Sequence, residues 1–248
     1  MNVVAFAATL VFNGLANALP LNGQTTGGVS DSFDVLFTPA GYVFSIWGLI
    51  YLLLGIFSVY QILPGQREAD FVKRIGWWFV ASSVFNITWL FMWHYNLFVL
   101  SEVAMLGLLV SLLAIYLRLG IGRRTVEGRE KWLVNLPFSI YLGWISVATI
   151  ANSAVVLYDL NWNGFGIAPE VWTAIVLLVG GLLGVLMALI RKEVAYPLVV
   201  IWAFVGVVVR RMDTPLVAVT AGLTALVVLL VLVISLLRRK PGMMAQSV

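Results

Sequence analysis

The stretch Phe37-Thr38-Pro39-Ala40-Gly41-Tyr42-Val43-Phe44-Ser45-Ile46-Trp47-Gly48-Leu49-Ile50-Tyr51 decides how the rest of this chain is read. A threonine and a proline stand before a long apolar run. Thr38 can cap a helix by accepting a backbone N–H bond, and Pro39 suits a first helical turn, where its missing donor costs nothing. The run therefore predicts a helix over residues 39–62. Trp47, Tyr51 and Gly55 recur every four residues and share one face of it. Two aromatic rings above a glycine either pack against a neighbouring helix or offer flat surfaces to a ligand.

Outward from this stretch the composition stays apolar. Of 248 residues, 62% are hydrophobic and 10% charged, against about half and a quarter in soluble domains. Several apolar runs reach the roughly 20 residues that a helix needs to cross a bilayer core. Backbone in lipid must satisfy itself, so only helices and closed barrels span. These runs are too long and too uniformly apolar for barrel strands. The fold class is all-α, a polytopic membrane helix bundle. The chain has no cysteine and one histidine, His94. That removes disulfides and thiolate metal sites and argues against a histidine metal centre. The net charge of +4 fits basic cytoplasmic loops and calls for no nucleic acid.

Eight spans are expected, near residues 2–19, 39–62, 75–95, 98–119, 132–158, 171–190, 194–209 and 215–237. The first is read as a retained helix, because no basic segment precedes it as in a signal peptide. In it, Asn13 and Asn17 lie one turn apart and either bond a neighbouring helix or line a cavity. Residues 21–36 form a polar, glycine-rich loop carrying Asp31 and Asp34. His94 falls in a tight turn with Tyr95 and Asn96 and reads as an interface residue. Gly180 and Gly184 in the sixth span predict close helix packing. The seventh is short enough to be re-entrant. Of the 15 lysines and arginines, all but Arg210 and Arg211 fall on the side shared by both termini, Arg239 and Lys240 included. That bias predicts cytoplasmic N- and C-termini.

Two further stripes carry rings and amides. Asn86, Trp89 and Trp93 share a face of the third span, and Trp144, Ala148 and Asn152 share a face of the fifth. A small residue between an indole and an amide leaves room for a flat ligand, or lets two helices approach closely. An apolar pocket with a few placed polar groups is the usual form of a small-molecule site. The candidate ligand-binding residues are Trp47, Tyr51, Asn86, Trp89, Trp93, Trp144, Ala148 and Asn152. No carboxylate or histidine sits at mid-span, as proton-driven transport would need. No lysine lies in a span to form a Schiff base, and no catalytic triad, phosphate loop or metal-ligand spacing appears. An enzyme is not expected, nor a catalytic or metal site.

These motifs resemble the translocator protein family, also called tryptophan-rich sensory proteins. Its second helix opens Phe-Thr-Pro-Pro-Gly-Trp-Val-Phe; residues 37–44 follow it with Ala40 for the second proline and Tyr42 for the tryptophan. Asn86-x-x-Trp89 is similar to the family's third helix. Tyr141-Leu142-Gly143-Trp144 with Ala148, Thr149 and Asn152 is similar to its fifth. The quoted motifs end by Tyr158. The resemblance implies a five-helix bundle over residues 1–158, followed in residues 159–248 by three additional membrane helices and a short basic tail. It also implies a pocket between helices two, three and five, closed by the first loop, that binds porphyrins or other tetrapyrroles, sterols or synthetic aromatics. No cofactor is expected beyond such a tetrapyrrole ligand. The family often acts as dimers, so a homodimer within the lipid bilayer is a further expectation. Two places depart from it: the first loop has Asp34-Val35-Leu36 where Trp-Tyr and Lys-Pro are usual, and the fifth helix ends Leu157-Tyr158-Asp159 rather than Trp-Arg. The expected function is a receptor or carrier for a flat hydrophobic molecule. A transporter of a lipophilic metabolite, a light-dependent tetrapyrrole-degrading enzyme and a membrane scaffold are the alternatives.

Overall fold

The computed structural model describes residues 1–19, 21–126 and 128–238. The side chain of Asn17, and Glu127, Arg239 and Lys240, lie outside the described residues. Among the described residues, eight long helices follow the expected order: α1 (Asn2–Ala18), α3 (Ile46–Tyr60), α5 (Trp78–His94), α6 (Phe98–Leu119), α8 (Leu136–Asp159), α9 (Pro169–Ile190), α10 (Ala195–Arg210) and α11 (Pro215–Leu237). Between them lie the short α2 (Thr26–Asp31), α4 (Asp70–Ile75) and the single turn α7 (Gly128–Glu130). Among the described residues, five segments are long and apolar enough to cross a membrane by themselves: those built on α3, α6, α8, α9 and α11. The shorter helices are α1 and α5, with 17 residues each, and α10, with 16. At about 1.5 Å per residue α1, α5 and α10 cover somewhat less than a ~30 Å hydrocarbon core.

Several local expectations change. The second span does not begin as an α-helix capped by Thr38. A 3-10 turn, Gly41–Ser45, precedes α3, and its N-cap is Ala40. The Thr38 hydroxyl is buried without a hydrogen-bond partner among the described residues. The reason is tertiary: Ala40 N–H donates to Gly206 O of α10 at 3.0 Å, which holds Ala40 outside the helical conformation, at φ −59° and ψ 146°. The first loop is not wholly irregular. Thr25 accepts from Gly28 N–H at 3.1 Å and caps α2. The fifth span opens on a π-helical turn, Lys131–Asn135, before α8, so Pro137 sits near the N-terminus of α8 and breaks nothing. Gly55 shares its face with Tyr51 but meets the Phe6 ring of α1, 3.4 Å from where a Cβ would stand.

Small residues set the helix spacing, because lipid supplies no hydrophobic drive between helices. Gly107 of α6 lies under the Phe85 ring of α5, and Gly143 of α8 under Tyr196 and Val199 of α10. The expected close packing at Gly180 and Gly184 is present, against Phe204 and Val228. Two polar ends result. At one, Asn2 Nδ2 donates to Gln61 at 2.9 Å, Arg74 and Arg118 exchange bonds with each other's carbonyls, and Arg124 pairs with Asp70 at 3.1 Å. At the other, Asn22 donates to His94 O at 3.0 Å, and Arg210 and Arg211 pair with Asp31 and Asp34. The two arginines that break the charge bias are thus held by two acids on their own end.

Candidate functional site

The chamber is built where α3, α5 and α8 meet beneath α2. Trp47 of α3 is its hub. Its ring stacks on Tyr51 (centroids 5.5 Å apart, planes 20°) and on Trp89 (6.3 Å, 26°), and meets the edges of Tyr141 and Trp144. Trp89 stacks in turn on Trp93 at 5.8 Å. Four rings from two helices form one column, because the four-residue repeat of α3 faces the Asn86–Trp93 stripe of α5. Such pairs contribute on the order of 1 kcal/mol each beyond burial. Trp144 closes the column from α8 and is itself edged by Phe44 at 5.8 Å.

The two amides are engaged inside the protein rather than free. Asn86 is fully buried; its Nδ2 donates to Tyr141 OH at 3.1 Å, and its Oδ1 accepts from Asn13 Nδ2 at 2.8 Å. Asn13 thereby joins a neighbouring helix. Asn152 accepts from the Trp89 indole N–H at 3.0 Å and donates to Ser101 Oγ at 3.2 Å and to Glu102 Oε2 at 2.6 Å. Ser153 Oγ donates to the other Glu102 oxygen at 2.7 Å. Ser101, Glu102 and Ser153 escaped the sequence reading. A carboxylate one turn inside an apolar run was the available signal, since such a group needs partners in the membrane. His94 is wholly buried, with Nδ1 2.7 Å from Leu90 O and Nε2 3.4 Å from the Thr26 hydroxyl of α2.

A cavity of about 40 Å³ lies against this column, walled by Trp47, Trp89, Trp93, Trp144, Ala148 and Asn152, with Thr26, Ser30, Thr38 and Pro39 above. A second, of about 130 Å³, touches Asn13, Trp47, Tyr51 and Trp89 and shares Thr26, Phe44, Trp47 and Trp89 with the first. Of the eight sequence candidates, six line the first cavity and Tyr51 the second; Asn86 lines neither and supports Tyr141 from behind. Two polar atoms of the first wall, Trp144 Nε1 and Thr38 Oγ1, are buried without a hydrogen-bond partner among the described residues. On the bilayer side of α1 and α3 runs an open apolar groove of about 830 Å³, bordered by Phe6, Gly48, Tyr51 and Gly55. No group of three or more His, Cys, Asp or Glu fit to hold a metal occurs among the described residues.

Fold and site together define a multi-pass helical membrane protein with an aromatic chamber under a loop. Residues 1–234 match the family described as TSPO-like protein. The chain belongs to that family. The match runs through α9, α10 and most of α11, past the point where the quoted motifs end. No curated protein and no solved structure matches the chain.

Proposed function

We propose that this protein is a non-enzymatic membrane receptor or carrier for a flat hydrophobic small molecule, with a tetrapyrrole such as protoporphyrin as the leading class. The observation that carries this reading is the stacked column Trp47–Trp89–Trp93 with Trp144 and Ala148 on one cavity wall. Flat π faces suit a flat ring, and the unpartnered Trp144 Nε1 suits an acceptor oxygen on its rim. The cavity volume sets a condition. Small-molecule sites usually enclose about 300–1,000 Å³, so a macrocycle enters only if the ring column parts or the loop lifts. Binding is then slower than diffusion, and the stacked tryptophans report it directly.

Titration of the full chain in nanodiscs with protoporphyrin, followed by tryptophan fluorescence, tests this reading. Saturable quenching that weakens in Trp144→Ala is expected. Quenching that never saturates, or that Trp144→Ala leaves unchanged, sinks it. The open groove supports a second reading, a transporter of a lipophilic metabolite, because Tyr51 borders both the groove and the inner cavity. Uptake into liposomes carrying the protein separates transport from binding. The charge distribution supports an orientation with both termini in the cytoplasm.

A further inference from the structure

The segment above the chamber is fastened along two edges. Toward α5, Trp93 Nε1 donates to Thr26 O at 3.1 Å and Asn22 to His94 O. Toward α10, Arg210 Nη1 bonds Asp31 Oδ1 at 2.5 Å and Pro39 O at 3.3 Å. Arg211 donates to Val35 O at 2.7 Å and to Asp34 Oδ1 at 3.3 Å. This segment contributes Thr26, Ser30, Thr38 and Pro39 to the chamber wall, so whatever loosens it opens the chamber. We propose that Arg210 and Arg211 form an electrostatic latch by which the C-terminal helices set how readily the chamber opens.

The asymmetry of the pairs says how the latch works. The arginine side chains are 23% and 11% exposed, whereas Asp31 and Asp34 are 56% and 79% exposed. An ion pair with a well-solvated carboxylate contributes little by itself. The guanidinium groups also hold two backbone carbonyls, and charge-assisted bonds of that kind are the stronger ones. Removing an arginine therefore frees the segment more than neutralising its aspartate does. Because the carboxylates face solvent, salt weakens the latch. The inference rests on the contacts of this segment alone and holds whatever the chamber binds.

The chain has no cysteine, so Ser30→Cys places a single thiol on the segment's buried, chamber-facing side. The test is the rate at which a charged maleimide labels this thiol in the full chain in nanodiscs, without ligand. Labelling is expected to be slow in the parent and to rise about 10-fold or more with Arg210→Ala/Arg211→Ala. Asp31→Asn/Asp34→Asn should raise it only about 2-fold, and Arg210→Lys/Arg211→Lys should fall between. In the parent, raising salt from 0.1 to 1 M should speed labelling about 2-fold, a measurement that needs no latch variant. Equal rates in parent and double-alanine variant overturn the latch. So does an equal rise with Asp70→Ala, whose partners lie at the opposite end, because the loosening would then be general.

Discussion

Asn152 is the polar junction of the site. It joins an indole, a hydroxyl and a carboxylate that belong to two other helices. Asn152→Leu leaves the buried Trp89 N–H, and one oxygen of the part-buried Glu102, without their partner. A loss of about 1–3 kcal/mol follows, to be read as a lower midpoint of thermal unfolding in detergent. Trp144 behaves in the opposite way. Its N–H bonds nothing among the described residues, so Trp144→Phe removes no internal hydrogen bond and should cost less than about 1.5 kcal/mol as a near-conservative core change. If that N–H meets the ligand, the same variant should weaken protoporphyrin binding by about 5- to 10-fold. Unchanged affinity with unchanged stability would show that the indole serves only as a flat wall.

At the scale of elements, α10 governs how the second span begins. Gly206 lies so close to the segment before α3 that a Cβ there would stand 2.2 Å from Val43 Cγ2 and 3.1 Å from Pro39 Cβ. Val43 is β-branched and Pro39 is fixed, so neither gives way easily. Gly206→Val should therefore lower stability by about 1–3 kcal/mol and also raise the Ser30→Cys labelling rate. Gly14 of α1 has nothing within 4 Å of its would-be Cβ. Gly14→Ala should be neutral or stabilise by up to about 1 kcal/mol, which makes it the matched control in the same unfolding assay. The contrast also explains what the sequence reading missed. Thr-Pro before an apolar run is a sound helix-start signal, but the bond from Ala40 to Gly206 crosses more than 160 residues and is visible to no local rule.

For the whole molecule, the separation of charge between the two ends is the organising feature. Reporter fusions at the N-terminus and the C-terminus should both report the cytoplasm, and a reporter inserted in the loop at residues 163–166 should report the opposite side. An outward C-terminal reporter would reverse the proposed orientation. Helix α10 also packs on the segment that leads into the second span: Phe204 meets Phe37, and Trp202 meets Tyr42 and donates to Val43 O at 3.1 Å. A chain ending at Leu160 should lose much of its thermal stability and label rapidly at Ser30→Cys. If it kept both properties, the C-terminal helices would be a dispensable addition.

Sequence alone determined that this chain is a bundle of membrane helices, where the long helices lie, and which stripes of rings and amides face inward. Those features follow from local quantities: apolar length, the 3.6-residue period and the placement of charge. It also carried the family, because the Thr-Pro-x-Gly, Asn-x-x-Trp and Trp-x-x-x-Ala motifs are local. Tertiary structure alone decided that the rings of α3 and α5 form one column, that Glu102 meets Asn152, and that Arg210 and Arg211 fasten the segment above the chamber. The physical reason is that a hydrogen bond or a ring stack depends on distance in space, and helices brought together from distant parts of the chain leave no periodic trace of which side chains will meet.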